Sequence, residues 1–172
     1  MRYVALLRGI NVNPGTKVDM ADLRGLLQGL GYTDVRTHLR SGNAVFTAEP
    51  QPTGEIERAI GERLTLPVAV MVRTADEWRA VVERNPLEVR EPAKFAVVFL
   101  AAPPDREALE GIDPGSYAPE VMRTGERELY IDFPNGLARP KLPPLLEKRT
   151  KNAGTMRNWN TVTKLLELVD TA

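Results

Sequence analysis

Residues 3–12 read YVALLRGINV, and this stretch sets the fold of the first half of the chain. Its first five residues, Tyr3 to Leu7, form a continuous apolar run, which is typical of a central strand covered on both faces. Arg8, Gly9 and Asn11 follow at once, so polar and turn-forming residues stand where the buried strand ends. We therefore predict a central strand that ends in a polar loop, and this loop is the first candidate for a functional site.

The residues after this loop predict a β-α-β-β-α-β order. Asp19 is a good N-cap, and Met20, Leu23 and Leu30 belong to an apolar stripe with helical spacing. Gly31 ends that helix as a left-handed cap. The pattern then predicts strands at 35–39, 44–47 and 68–72, and a second helix at 53–65. This order of elements is the ferredoxin-like arrangement.

The second half of the chain repeats the order, after a linking helix at 75–84. It has a buried strand at 95–100, a short helix ending near Gly111, a hairpin of strands at 121–123 and 129–133, and helical patterns at 142–149 and 157–169. We expect helix in place of its last strand. The sequence thus predicts an α+β fold of two ferredoxin-like antiparallel-sheet subdomains, the second ending in helices, with boundaries at 1–86 and 87–172.

The predicted topology brings two polar motifs together. In this fold the strand order is 4-1-3-2, so the end of the first strand lies beside the start of the third. Arg8 and Asn11 then face Ser41 and Asn43, and Lys17 lies at the end of the same loop. Arginine and asparagine side chains offer several hydrogen-bond donors, which suit an anionic ligand. The alternative is structural, because serine, glycine and asparagine are also the commonest turn residues.

A third polar motif, RNWN at 157–160, opens the last helical pattern. We expect Arg157 and Asn158 in the first turn of that helix, where free backbone amides favour anions, and Trp159 as its anchor on the core. If the two basic ends of the chain meet, these side chains lie within about 6 Å of the first two motifs, close enough for a bridging water. Otherwise RNWN is only a local helix start. The predicted ligand-binding residues are Arg8, Asn11, Lys17, Ser41, Asn43, Arg157 and Asn158.

The composition excludes several classes of site. The 172 residues include no cysteine and one histidine, His38, so disulfides, thiolate metal sites and a cysteine nucleophile are excluded. No Walker loop, dinucleotide glycine motif or zinc spacing is present, so we predict neither a cofactor nor a metal. No apolar run reaches the roughly 20 residues of a membrane span, and we expect a cytoplasmic protein. The net charge is zero, but residues 1–48 and 139–172 are basic and residues 49–138 are acidic.

The three motifs LLRGINV, RSGNAVF and RNWNTVTKL, together with MVRTADEW and NPL, resemble those of the bacterial family called domain of unknown function 1697. The resemblance covers essentially the whole chain. It implies two ferredoxin-like subdomains, in agreement with the pattern of elements. It implies no reaction, because the family is defined without one.

Three functions fit this sequence. The first is the binding of a small anionic, phosphate-bearing ligand at the polar motifs. The second is an enzyme that acts on such a ligand by electrostatic stabilisation, with Arg8 and Arg157 facing the developing negative charge. The third is a nucleic-acid-binding module that uses the basic ends, although the strands lack the interleaved aromatics of an RNA-recognition sheet.

Overall fold

The computed structural model describes residues 1–9, 11, 15, 17–150 and 154–171. Ile10 and Val12 of the opening stretch lie outside the described residues. The chain forms two compact units, the first made of Met1–Ala80 with Thr163–Ala172 and the second of Val81–Val162. The division by sequence at 86/87 assigns the whole C-terminal helix to the second half, whereas its last part lies with the first unit.

The first unit contains a four-stranded antiparallel sheet in the order β2-β3-β1-β4, which confirms the predicted strand order. Its elements are β1 (Arg2–Leu7), α1 (Met20–Gly29), β2 (Thr33–Thr37), β3 (Asn43–Thr47), α2 (Thr53–Arg63) and β4 (Val70–Thr74). Helix α3 (Ala75–Glu83) follows β4 directly. Every residue of β1 from Tyr3 to Leu7 is buried, as expected for a central strand with two covered faces.

Local signals set the ends of α1. The Asp19 carboxylate accepts a hydrogen bond from the Ala21 amide at 2.7 Å, which satisfies one free donor of the first turn. Gly31 has a φ of 88°, the left-handed conformation that commonly ends a helix. Between these ends, Leu23 and Leu27 are buried in a core that also contains Tyr3, Ala5 and Leu7 of β1. The helix therefore covers one face of the sheet with its apolar stripe.

The second unit contains another four-stranded antiparallel sheet, in the order β6-β7-β5-β8. Its elements are β5 (Phe95–Leu100), α4 (Arg106–Glu110), β6 (Val121–Thr124), β7 (Glu128–Asp132), α5 (Leu142–Arg149), β8 (Gly154–Asn158) and α6 (Trp159–Asp170). The two-sheet α+β fold is as predicted. The expectation that helix replaces the last strand is wrong, because β8 pairs with β5 from Gly154 opposite Leu100 to Asn158 opposite Ala96.

The C-terminal part of α6 is tied to the first unit. The Arg2 guanidinium donates hydrogen bonds to the carbonyl oxygens of Leu168 and Val169 at 3.2 and 3.4 Å. These carbonyls belong to the last turn of α6, where they have no intrahelical donor. Arg79 of α3 also forms an ion pair with Asp170. Among the described residues, no helix is long and apolar enough to cross a membrane.

Candidate functional site

The end of β1 lies beside the start of β3, where the strand order places it. Leu6 is opposite Asn43 in the register, and the Leu7 amide donates to the Gly42 carbonyl at 2.9 Å. The Arg8 amide donates to the Ala69 carbonyl at 3.0 Å, so Arg8 leaves the sheet from a position fixed on both sides. The RGIN and SGN motifs therefore meet at one edge of the first sheet, which we call the β1–β3 edge.

Asn11 connects the two loops of this edge through its side chain. Its Nδ2 donates to the Arg40 carbonyl at 2.7 Å and to the Val18 carbonyl at 2.9 Å. Its Oδ1 accepts from the Val18 amide at 2.9 Å. Both amide hydrogens are thus engaged, and a φ of 58° fits asparagine better than most residues. Asn11 holds the loops together, and its side-chain donors face the protein.

Asn43 holds the turn between β2 and β3 in the same way. Its side chain is fully buried, and its Nδ2 donates to the His38 carbonyl at 2.6 Å and to the Ser41 hydroxyl at 3.0 Å. Gly42 has a φ of 91°, which lets the backbone turn without a Cβ clash. Together, Asn11 and Asn43 form a hydrogen-bonded support for the residues that they bind.

Four side chains on this support are exposed to solvent: Arg8, Lys17, Arg40 and Ser41. Lys17 is adjacent to Val18, whose backbone is bound by Asn11, and the Arg40 carbonyl is bound by the same side chain. Arg40 was missed as a site residue, although it stands directly before Ser41 in the RSGN motif. The edge thus presents three cations and one hydroxyl, which can bind negatively charged oxygen atoms.

Leu39, between His38 and Arg40, has an unusual conformation. Its φ is 63° and its side chain is 55% exposed. A leucine with a left-handed backbone costs about 1–2 kcal/mol relative to the ordinary conformation. Because the buried Asn43 amide binds the His38 carbonyl at the start of this turn, the turn is held in the strained form. Such strain concentrates at functional sites.

The turn that contains His38 has positively charged neighbours. Burial lowers the pKa of His38 below its usual value of 6.5, and the positive charge of Lys164 lowers it further. Both effects favour the neutral form of the His38 ring. The Arg24 guanidinium of α1 donates to the hydroxyl of Thr37, the residue before His38, at 2.7 Å, which places another cation close to this turn.

Lys17 also lines a cleft of about 340 Å³ beside the N-terminal end of α1. Arg63 contributes a second cation to this cleft, and Asp19 and Asp22 contribute two carboxylates above a floor of leucine side chains. The charges of the cleft balance, so it has no preference for anions.

Arg157 and Asn158 are placed differently from the prediction. Both lie in β8, so their assignment to the first turn of a helix is wrong. Arg157 is only 7% exposed, and its guanidinium donates to the Thr155 hydroxyl at 2.6 Å and to the Met156 carbonyl at 3.0 Å. Burial lowers the pKa of Arg157 to about 10. Asn158 Oδ1 accepts from the Thr161 amide at 3.0 Å and so caps α6.

These two residues belong to the second unit, and the other five predicted site residues belong to the first. Their convergence within about 6 Å, the distance that one bridging water spans, stays a prediction. The structure does bring Arg8, Asn11, Lys17, Ser41 and Asn43 to the same edge of one sheet. Of these five, the two asparagines support the loops and the other three are exposed.

Strands β4 and β8 each have a buried arginine as their fourth residue. This repeat was not predicted from the sequence. Arg73 of β4 is opposite Val4, and Arg157 of β8 is opposite Val97. They are 2% and 7% exposed. In each case the next residue caps the helix that follows, since the Thr74 hydroxyl accepts from the Glu77 amide at 3.1 Å. The sequence signal is a short one, Met-Val-Arg-Thr at 71–74 against Thr-Met-Arg-Asn at 155–158.

Comparisons with known proteins identify the family and the fold. The model of the family described as "Protein of unknown function (DUF1697)" matches residues 1–130. A conserved bacterial protein from Streptococcus pneumoniae has a similar solved structure, with a TM-score of 0.78 and 22% sequence identity over 99% of this chain and 98% of that chain. This likeness shows a shared fold. The comparison with curated proteins gave no match.

Proposed function

We propose that this chain, which belongs to the DUF1697 family of proteins of unknown function, binds a small anionic, phosphate-bearing ligand at its β1–β3 edge. The observation that carries the proposal is the contrast between two kinds of polar side chain at this edge. Asn11 and Asn43 use their amide groups to hold the loops, whereas Arg8, Lys17 and Arg40 are exposed on the supported backbone. The edge therefore offers cations at fixed backbone positions.

The chemistry of these side chains suits a phosphate group. A guanidinium has donors in a planar fork that can bind two phosphate oxygens at once, and a lysine adds a compact positive charge. The Ser41 hydroxyl can donate to a further oxygen. The side-chain hydrogen bonds of Asn11 and Asn43 hold the backbone at Val18, Arg40 and His38 before a ligand binds, which lowers the entropic cost of binding.

His38 provides a direct test, because it is the only histidine of the chain and its ring signals in a proton NMR spectrum need no assignment. We would titrate the protein with inorganic phosphate, pyrophosphate and nucleotides, and measure the pKa of His38 at each addition. A bound anion next to the turn favours the imidazolium and raises this pKa. In parallel, a ligand at about 100 times its Kd should stabilise the fold by about 2.7 kcal/mol.

The variants R8A and R40A should abolish both effects and keep the fold. The matched control is R58A, which removes an arginine that is 63% exposed on α2 of the same unit. If no anion of the panel changes the His38 pKa or the melting temperature, the proposal is wrong. It is also wrong if R40A and R8A bind the anion as well as R58A does.

The same samples distinguish the other two functions. Release of phosphate from a bound nucleotide, lost in R8A while the fold is kept, would assign an enzyme that uses electrostatic stabilisation. Binding of RNA or DNA of any sequence, with an affinity that falls steeply as salt rises, would assign a nucleic-acid-binding module. The variant R157K tests whether the RNWN motif contributes, because it keeps the charge and removes the planar fork.

A further inference from the structure

Strand β6 is a terminal strand of the second sheet, and a groove runs beside it. The groove has a volume of about 360 Å³ and lies between β6 and α4. Its floor is apolar, made by Leu109, Ile112 and Met122, with the Tyr117 ring at one side. Arg106 and Arg123 border it, against a single acidic side chain from Glu110. An edge strand beside an apolar groove is the arrangement by which proteins bind an extended peptide as an added strand.

The register shows which backbone groups of β6 face outward. The Gly125 amide donates to the Glu128 carbonyl at 2.7 Å, so this pair closes the hairpin. Hydrogen-bonded and non-bonded pairs alternate along an antiparallel ladder. Met122 and Thr124, opposite Ile131 and Leu129, are therefore non-bonded pairs whose amides and carbonyls point away from β7. Consistently, the Met122 carbonyl accepts a hydrogen bond from the Arg123 guanidinium at 2.8 Å instead of from a strand.

Another edge of the molecule shows how an outward amide is blocked. On β4, the last strand of the first sheet, the Val72 amide donates to the Glu57 carboxylate of α2 at 2.8 Å. A strand cannot add there without breaking this bond to a charged group. On β6 the bound outward group is a carbonyl, that of Met122, and its donor is an exposed arginine that can rotate away. In the described part of the chain no carboxylate binds the β6 amides.

We propose that β6 and the groove beside it bind an extended peptide segment in which acidic residues alternate with apolar ones. Side chains on successive residues of a strand point to opposite faces. Apolar residues of the added strand would then enter the groove on the Met122 side, and the acidic residues between them would lie on the side of Arg123. The peptide amide replaces the Arg123 guanidinium at the Met122 carbonyl, and the freed guanidinium pairs with the peptide carboxylate.

The charges of the groove select this occupant. Arg106 donates to the Thr124 hydroxyl at 2.8 Å, which fixes a second cation at the hairpin end of β6. Two arginines against one glutamate favour a negative segment over a positive one. The strand has four residues, so it pairs with a segment of about four residues, or roughly 13 Å of extended chain.

The test uses the full chain and a fluorescein-labelled peptide of alternating valine and glutamate. We expect saturable binding, measured by fluorescence anisotropy, and slower hydrogen exchange at the Met122 and Thr124 amides. An R123E variant should weaken binding by about tenfold, or roughly 1.4 kcal/mol. The control R90E, an arginine that is 75% exposed in the same unit and outside the groove, should leave the affinity within about twofold.

Two comparison peptides make the test decisive. A peptide of alternating valine and lysine should bind the wild-type chain weakly and R123E better. A valine–glutamate peptide with methylated backbone nitrogens should not bind, because it cannot donate to the Met122 carbonyl. The proposal is refuted if the methylated peptide binds equally well, if R123E behaves as R90E, or if exchange at Met122 and Thr124 is unchanged at saturation.

Discussion

Replacing Asn43 tests whether its side chain holds the turn between β2 and β3, independently of any ligand. The side chain is fully buried, and its amide donates hydrogen bonds to the His38 carbonyl and the Ser41 hydroxyl. N43A removes both and leaves the partly buried His38 carbonyl without the side-chain donor. Each bond contributes about 0.5–1.5 kcal/mol net, and an unsatisfied buried carbonyl costs about 1–3 kcal/mol. We expect a loss of about 3 kcal/mol, or about 6–12 °C in Tm for a chain of this size.

N43D keeps the shape of the side chain and places an oxygen where the amide donates. Burial and the facing His38 carbonyl raise the pKa of the introduced carboxyl above its usual value of about 3.9. The folded chain then binds this proton more tightly than the unfolded chain does. Stability relative to wild type is therefore highest below about pH 4, and it falls by up to about 1.4 kcal/mol per pH unit as pH rises to the folded pKa.

Urea unfolding followed by circular dichroism, at several pH values between 4 and 8, measures both variants. S41A is the comparison, because it removes the acceptor of only one of these two Asn43 hydrogen bonds, and it should cost about 1 kcal/mol, clearly less than N43A. A loss below about 0.5 kcal/mol in N43A, or a pH-independent cost in N43D, would refute the view that Asn43 holds this turn.

The remaining predictions concern packing, titration and capping. G154A should cost about 1–3 kcal/mol, because the new Cβ would lie 2.9 Å from a Val98 methyl. G61A, in open space on α2, should instead stabilise the chain by up to about 1 kcal/mol. Thermal unfolding that shifts both variants in the same direction would contradict this. Burial and a nearby positive charge lower the pKa of His38, so folding favours its neutral form. The stability that this contributes is complete above about pH 6.5 and is lost as pH falls through the folded pKa. H38Q should lack this pH dependence when unfolded with urea. N158A should lose about 1 kcal/mol, the value of a helix cap, and an unchanged Cm would show that the Thr161 amide gains nothing from it.

Strong local patterns account for the parts of the fold that sequence predicted. The five residues from Tyr3 to Leu7 have no polar face, so this strand must be covered on both faces of the sheet, whichever elements pack against it. Asp19 and Gly31 act within a few residues of themselves, on the backbone at either end of α1. Strand order then follows from the ferredoxin-like arrangement, and it placed the RGIN and SGN motifs at one edge.

The position of the candidate site could be predicted in this way, but the role of each of its residues could not. Arg8 and Asn11 are both polar in the sequence. In the structure Arg8 is exposed, whereas the Asn11 side-chain amide donates to the carbonyls of Val18 and Arg40. The distinction depends on which carbonyl oxygens lie within reach, and these come from residues up to 29 positions away. Arg40 was missed for the same reason, because its position on the support is fixed by Asn11.

By itself, the sequence determined the two-sheet α+β fold, the buried central strand and the edge where two polar motifs meet. Only the tertiary structure decided that Gly154–Asn158 is a strand and that Arg157 is buried within it. The five residues alternate between half-buried and buried and carry little local preference, and the helical pattern of the sequence extends back to Arg157. Their strand form is stabilised by hydrogen bonds to β5, more than fifty residues earlier in the chain, and such pairing leaves no periodic trace in the strand itself.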